Sequence, residues 1–310
     1  MKKNLVTDGA VYIGSILVPE LLEKGYTVTV IDNFMYRQPS LTNIISNPNL
    51  NLVYADVRDY GIVKQYISKA DVVIPLAAIV GAPACAKDPL AASSINKNAI
   101  IWLFNQLSSD QQIIMPTTNS AYGSSENNNY CDENSPLRPL SLYAKDKVLV
   151  EQELMHNARA TSLKLATVFD ISPRMRLDLL VNNFVHRALA DKFLFLFQGQ
   201  FKRNYVHVRD VSRAFCFTIK HPEKMKGEIF NFGLSEANIS KIKPCEAIQK
   251  YIPKFTFFEA PLGKNPDQRN YIVSNNKIES RGIKAQISLS QGILELIKGL
   301  KCLNIMFSNL

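Results

Sequence analysis

Apolar residues in the first half of the chain fall into short runs separated by stretches of helical spacing. Asn4–Thr7, Thr27–Ile31, Leu52–Tyr54, Val72–Leu76, Gln112–Pro116 and Ser162–Ala166 predict strands. Ile13–Lys24, which stops at Gly25, and then Ala92–Leu107 and Tyr143–Met155 predict helices. This alternation of strand and helix argues for an α/β fold with a doubly wound parallel sheet. Right-handed crossovers would gather the loops at the carboxyl edge of such a sheet, where ligands bind. After about residue 170 the alternation breaks and Gly, Pro, Asn and Arg become frequent. The reading is a nucleotide-binding domain over 1–170 and a smaller C-terminal substrate lobe over 171–310. Within the second part, 205–235 is expected to return to the first domain, through Tyr205–Ile219 and Ile229–Gly233.

Composition narrows the class. With 310 residues, 46% hydrophobic and 20% charged, the chain is an ordinary globular protein. Its five cysteines, at 85, 131, 216, 245 and 302, are scattered and lack CxxC spacing. Neither a disulfide framework nor a metal site is expected, and a reducing cytoplasm fits. The longest apolar stretch, Val72–Ala86, is too short to span a bilayer and contains Pro75 and Gly81. The opening Met1-Lys2-Lys3-Asn4-Leu5-Val6 has no apolar secretory core and reads as a first strand, so no membrane partner is expected. The net charge of +9 is a mixed basic surface, or an attraction to an anion such as a diphosphate. No basic stripe with interleaved aromatics is present, so nucleic acid is not an expected partner.

Two constellations carry chemistry. The first is Val6-Thr7-Asp8-Gly9-Ala10-Val11-Tyr12-Ile13-Gly14-Ser15, placed between a strand and a helix. A Rossmann-type dinucleotide loop needs one glycine for the turn, a second for close approach to the pyrophosphate and a third for helix–strand packing. Only the third, Gly14, is in place; Asp8 and Val11 stand at the other two. The context still fits, because Asp32 ends the next strand. A carboxylate there accepts from the adenosine ribose and repels a 2′-phosphate, which favours NAD over NADP. Gly9, Tyr12, Ile13 and Gly14 are the candidate loop contacts. The second constellation is Thr118, Tyr143 and Lys147. Tyr143 and Lys147 lie one helical turn apart on one face. An ammonium beside a phenol favours the phenolate, so Tyr143 is a candidate base. Thr118, at the end of an apolar strand, is placed to orient a substrate hydroxyl.

With these residues the chain resembles the extended short-chain dehydrogenase/reductases, and among them the NAD-dependent sugar-nucleotide epimerases, dehydratases and 4-oxidases. The segments that carry the resemblance are the Thr7–Gly14 loop, Ile31-Asp32-Asn33, Ala55-Asp56-Val57, Pro75-Leu76-Ala77-Ala78, Thr117 to Gly123, Ser141 to Lys147, Arg203 to Asp210 and Asp267-Gln268-Arg269. Ser172 to Asn182 and Phe258 to Pro261 are similar to a narrower subgroup, the bacterial GDP-heptose 4-oxidases of surface-polysaccharide pathways. The resemblance implies that Asp32 and Asn33 meet the adenosine ribose and that Asp56 and Val57 meet the adenine. It implies that Leu76, Ala77 and Ala78 line the cofactor, that Tyr143 is the base and that Lys147 holds the nicotinamide ribose. On the substrate side it implies Thr118, Asn119, Ser120, Arg174, Asn182, Arg203 and Arg269, with Arg203 and Arg269 on the diphosphate of a GDP-sugar or related nucleotide sugar. His207 is expected to be a packed structural residue. A homodimer is expected through Ala92–Leu107 and Tyr143–Met155.

The expected reaction is oxidation at C4 of a nucleotide-diphosphate sugar, by a 4-dehydrogenase or 4-epimerase in polysaccharide precursor synthesis. A 4,6-dehydratase would commonly carry an Asp-Glu pair after the Thr, where this chain has Asn119 and Ser120. Asp8, Val11 and Asp170 each replace a residue that the resemblance expects, Asp170 standing in place of a glycine. The alternative reading is therefore a catalytically silent nucleotide-sugar-binding homologue.

Overall fold

The computed structural model describes residues 2–124, 130–260 and 269–303. Seven strands lie side by side in the order Ile229–Phe232, Ala160–Leu165, Gln112–Thr118, Val72–Pro75, Lys3–Thr7, Thr27–Asp32 and Leu50–Tyr54. Every pairing among them is parallel. The sheet is buried on both faces because side chains alternate along each strand. Val6, Val30, Ile74 and Leu163 face one apolar core with Leu17 and Phe215. Their neighbours Leu5, Ile31, Val73 and Ile113 face a second core with Val150. This is the Rossmann-type arrangement read from the strand–helix alternation.

The strand order also locates the ligand crevice. From Lys3–Thr7 the chain runs outward to Leu50–Tyr54, then crosses back to Val72–Pro75 on the other side. The carboxyl ends of Lys3–Thr7 and Val72–Pro75 therefore flank the switch point, where open α/β sheets bind ligands.

Two helical segments differ from the sequence reading. The expected helix Ala92–Leu107 is built instead from Pro89–Ser93, a π-helical turn at Ser94–Ala99, and Ile100–Asn105. The wide turn carries Asn96, which is fully buried. Asn96 Oδ1 accepts from the Ile79 N–H at 2.8 Å and its Nδ2 donates to the Ile79 carbonyl at 2.9 Å. This side-chain clasp replaces regular helical bonding with an anchor for the loop after Val72–Pro75. The helix Tyr60–Ile67 was not anticipated; it buries only Val63 and Ile67, too few positions to set a periodicity.

Beyond residue 166 the chain passes between layers. Thr167–Phe169 and Lys202–His207 pair in parallel, and Asn238–Ser240 joins them as a third strand. The helix Val208–Lys220 packs on Gly14–Glu23, and Ile229–Phe232 closes the edge of the main sheet. Asp170 marks the crossing, with φ of +104°. That conformation is strained for any residue except glycine, at roughly 1–3 kcal/mol. The surroundings over-determine it. Its N–H donates to Asn182 Oδ1 at 2.9 Å, and its carbonyl accepts from the Tyr12 hydroxyl at 2.7 Å. Its buried carboxylate faces His207 Nε2.

His207 Nδ1 accepts the Arg209 N–H at 3.0 Å, capping the helix Val208–Lys220. The acceptor role of Nδ1 leaves the imidazole proton on Nε2. The Asp170, His207 and Glu295 side chains, whose polar atoms lie within 4.8 Å of one another, are thus a hydrogen-bonding set rather than a metal cradle. No helix among the described residues is long and apolar enough to cross a membrane.

Candidate active site

The loop after the first strand is shaped by close packing. A Cβ on Gly14 would lie 2.5 Å from the Gly9 carbonyl oxygen, so the helix can begin here only on glycine. A Cβ on Gly9 would lie 2.7 Å from the Val30 side chain. The N–H groups of Tyr12 and Ile13 donate to no backbone carbonyl among the described residues, which leaves donors at the helix start for an anion. Asp32 is buried, accepting the Ala10 N–H at 2.9 Å and the Phe34 N–H at 2.7 Å. Burial pushes its carboxyl above the usual range despite these bonds.

The other cofactor-side residues surround the same crevice. Asp56 is gripped by Arg58 at 2.7 and 2.9 Å and by Asn33 Nδ2 at 3.3 Å, which lowers its carboxyl to about 2. Val57 and Ala77 pack together with Ala99. The Ala77 N–H donates to Thr7 Oγ1 at 3.2 Å, tying the loop that carries Leu76, Ala77 and Ala78 to the first strand. The set fits a dinucleotide: an acidic strand end, free N–H groups at a helix start, and a helix that only Gly14 lets approach.

Asp8 is the discordant member. It sits with φ of +53° where the turn glycine would be. Burial and the neighbouring Asp32 push its carboxyl up to about 7, while the Ala78 N–H and Arg174 pull the other way. A shallow cleft in the same loop region is lined in part by Ala10, Val11, Asp32, Tyr36 and Arg174.

Tyr143 and Lys147 lie on the helix Leu142–Met155, which Ser141 caps by accepting the Ala144 N–H. Lys147 Nζ lies 5.9 Å from the Tyr143 ring centroid. Lys147 and Thr118 line a shared shallow depression with Thr117, Glu151 and Lys164. Thr118 Oγ1 donates to Ser120 Oγ at 2.9 Å and accepts the Ser120 N–H at 3.1 Å. Asn119 is fully buried.

The electrostatics differ from the expected phenolate. Burial raises Tyr143 to about 12 and lowers Lys147 to about 8. Lys147 Nζ lies toward the ring, and desolvation is the leading influence on the phenol. Arg176 and Arg269 pull the Tyr143 hydroxyl back down. Arg176, paired with Asp178, was missed in the sequence; its only signal was its place two residues after Arg174. Beneath the site Glu151 pairs with Lys164 at 2.9 Å and accepts from Thr117 at 2.9 Å, all three buried.

The substrate-side residues divide. Arg269 comes within electrostatic reach of Tyr143. Arg203 is buried on the adjoining strand, its guanidinium 5.5 Å from the Tyr271 ring centroid. The two segments are tied by the Asn270 side chain, which accepts the Lys202 N–H at 2.8 Å. Asn182 is placed elsewhere than expected. It is fully buried, and its amide serves the Asp170 N–H and the Arg176 carbonyl, so it anchors the lobe crossing. Arg174 also lies elsewhere, on the cofactor-side cleft. Asp267, Gln268 and Pro261 lie outside the described residues.

The pattern of the NAD dependent epimerase/dehydratase family matches residues 4–233. The chain is 25% identical to the low-salt glycan biosynthesis protein Agl12 of Haloferax volcanii, over 93% of this chain and 95% of that protein. It superposes on UDP-glucose 4-epimerase from Thermotoga maritima, solved with UDP-glucose, with a TM-score of 0.86 and 24% identity, covering 97% of this chain and 99% of that one. Thermus thermophilus UDP-glucose 4-epimerase, solved with NAD, gives a TM-score of 0.83 at 21% identity, over 96% and 99%.

Proposed function

The chain belongs to the NAD dependent epimerase/dehydratase family, and from that membership we propose that it oxidises the C4 hydroxyl of a nucleotide-diphosphate sugar, as a 4-epimerase or a 4-dehydrogenase. This reading is supported by Lys147, which lies 5.9 Å from the Tyr143 ring centroid and shares a depression with Thr118, and by Arg269, which lies within electrostatic reach of Tyr143. NAD bound in the crevice supplies the hydride acceptor.

Tyr143 takes the proton from the sugar hydroxyl as the C4 hydride leaves, and Thr118 orients that hydroxyl. Lys147 holds ribose hydroxyls and keeps positive charge near the phenol. Arg203 and Arg269 neutralise the substrate diphosphate, a task for which the forked guanidinium suits phosphate oxygens. Asp32 takes the adenosine ribose. Asn119 and Ser120 offer no carboxyl for removing water from the sugar, which favours redox without dehydration. If the 4-keto sugar turns over in the site and is reduced again, the outcome is epimerisation; if it leaves, it is net oxidation.

GDP-sugars head the candidates, from the resemblance of Ser172 to Asn182 to the GDP-heptose 4-oxidases. A second copy of the chain is the proposed partner, with Leu149 on the Tyr143 helix turned outward at 47% exposure. Scattered cysteines without CxxC spacing agree with a cytoplasmic setting. Asp8 and Val11 speak for the silent homologue, and the set of Tyr143, Lys147 and Thr118 speaks for the enzyme.

The test is turnover of a panel of GDP-, UDP-, CDP- and dTDP-sugars by the wild type and by Tyr143→Phe, which deletes only the titrating oxygen. Loss of that group is expected to lower kcat by ~10²–10⁴-fold with an unchanged fold. Wild-type kcat in the variant removes Tyr143 as the base.

A further inference from the structure

Asp8 puts a carboxyl where a dinucleotide loop ordinarily offers bare backbone, and Val11 puts a branched side chain where the pyrophosphate approaches. The charges near Asp8 are unfavourable to an anion, since Asp32 and Asp56 both lie within reach. Such a loop needs positive charge from elsewhere if it is to hold a diphosphate.

The structure offers one source from beyond the lobe crossing. Arg174 lies four residues after Asp170, on the segment that leads into the substrate lobe. It turns back toward the sheet edge and lines the cleft with Ala10, Val11, Asp32 and Tyr36. Its guanidinium carbon lies 3.8 Å from the Tyr36 ring centroid, a cation–π contact that holds the side chain over the cleft. Nη1 donates to the Met175 carbonyl at 3.1 Å. Nε is buried and has no hydrogen-bond partner among the described residues. A buried guanidinium donor without an acceptor is costly unless something arrives to accept from it.

We propose that Arg174 is a binding residue for the anionic backbone of the dinucleotide, closing on it from the lobe side and replacing the attraction that the altered loop lacks. This rests on the reading of the crevice as a NAD site. Arg174 would then contact the cofactor from outside the loop that ordinarily holds it. The Tyr36 stack limits the entropy lost when the contact forms. Val11 is accommodated because the approach is made by a side chain above the loop instead of by backbone beneath it.

The test uses the full chain and two probes, ADP-ribose with the diphosphate and adenosine without it, in calorimetric titrations at one salt concentration. Arg174→Ala is expected to weaken ADP-ribose by ~10–100-fold, the span for losing one charge-assisted contact. It is expected to leave adenosine within about twofold. Arg174→Lys, which keeps the charge and loses the fork, is expected to fall between. In an Asp8→Asn background the cost of Arg174→Ala should shrink, because less like charge then needs offsetting. Thermal unfolding of each variant confirms that the fold is intact. Equal ADP-ribose affinity in wild type and Arg174→Ala overturns the assignment of Arg174. Equal weakening of adenosine and ADP-ribose overturns the diphosphate contact. A wild type that binds neither probe overturns the NAD site itself, along with the inference that rests on it.

Discussion

Asp8→Asn is expected to stabilise the folded protein above neutral pH and to leave it unchanged near pH 4. The perturbation is small in shape. Asn fills the same volume, tolerates the φ of +53° seen at this position, and keeps an oxygen for the Ala78 N–H. What changes is the charge. In the folded protein the carboxyl is raised from 3.8 to about 7, first by burial and then by Asp32. Below about pH 4 the group is protonated in both folded and unfolded chains, and the wild type loses nothing. Between about pH 4 and 7 the unfolded chain releases the proton while the folded chain keeps it, so wild-type stability falls as pH rises. Above 7 the loss is complete. A rise from 3.8 to about 7 corresponds to a ceiling of ~4 kcal/mol. Asp8 is partly open to solvent beside the cleft, which brings the expected gain down to about 1–2 kcal/mol. For a domain of this size that is roughly 2–6 °C in Tm. The assay is thermal unfolding of wild type and variant in matched buffers at pH 4, 6 and 8. A gain that is equal at all three, or largest at pH 4, would refute the reasoning.

Other variants test the remaining assignments. Arg269→Ala is expected to raise the nucleotide-sugar Kd by ~10–100-fold without altering that of NAD; unchanged calorimetric titrations of the sugar would take Arg269 out of the site. Arg203→Ala should act in the same direction with an added loss of stability, since this side chain is buried. Asp32→Ala should reduce the preference for NAD over NADP. It also strands the Ala10 and Phe34 N–H groups, so the ratio of the two affinities is the measure, and a constant ratio would make Asp32 only a turn residue.

The sheet was legible because its signal is local: apolar runs of strand length, separated by helical spacing, wherever the strands are buried on both faces. Gly14 and Asp32 were legible because close packing and a strand-end carboxylate are demanded by position. The π-helical turn at Ser94–Ala99 was not, because it is stabilised by Asn96 reaching Ile79, a contact 17 residues away that leaves no periodicity. Asn182 and Arg174 were misplaced for the same reason. Each sits in the segment expected to face substrate, but the direction of its side chain is set by partners far off in sequence, the backbone of Asp170 in one case and the ring of Tyr36 in the other. The state of Tyr143 depended on depth. Spacing placed Lys147 one turn away but said nothing of the desolvation that outweighs it.

The two aspartates that replace expected glycines share a conformation, and that bears on the choice between an enzyme and a silent homologue. Asp8 and Asp170 both take positive φ, the geometry for which glycine is ordinarily needed. In each case the backbone has kept its path and the added carboxyl has found partners. The Asp170 carboxylate has His207 and the Ile171 N–H, while Asp8 has the Ala78 N–H and the field of Arg174. A carboxyl buried with no such partner would be strongly destabilising. Compensation of this kind preserves the turn, the helix start and the Gly14 contact on which dinucleotide binding depends. It also leaves Tyr143, Lys147 and Thr118 grouped at the sheet edge. On the proposed Arg174 contact the loop is re-equipped and without it the loop is broken, and affinity for the cofactor is the quantity in which the difference appears.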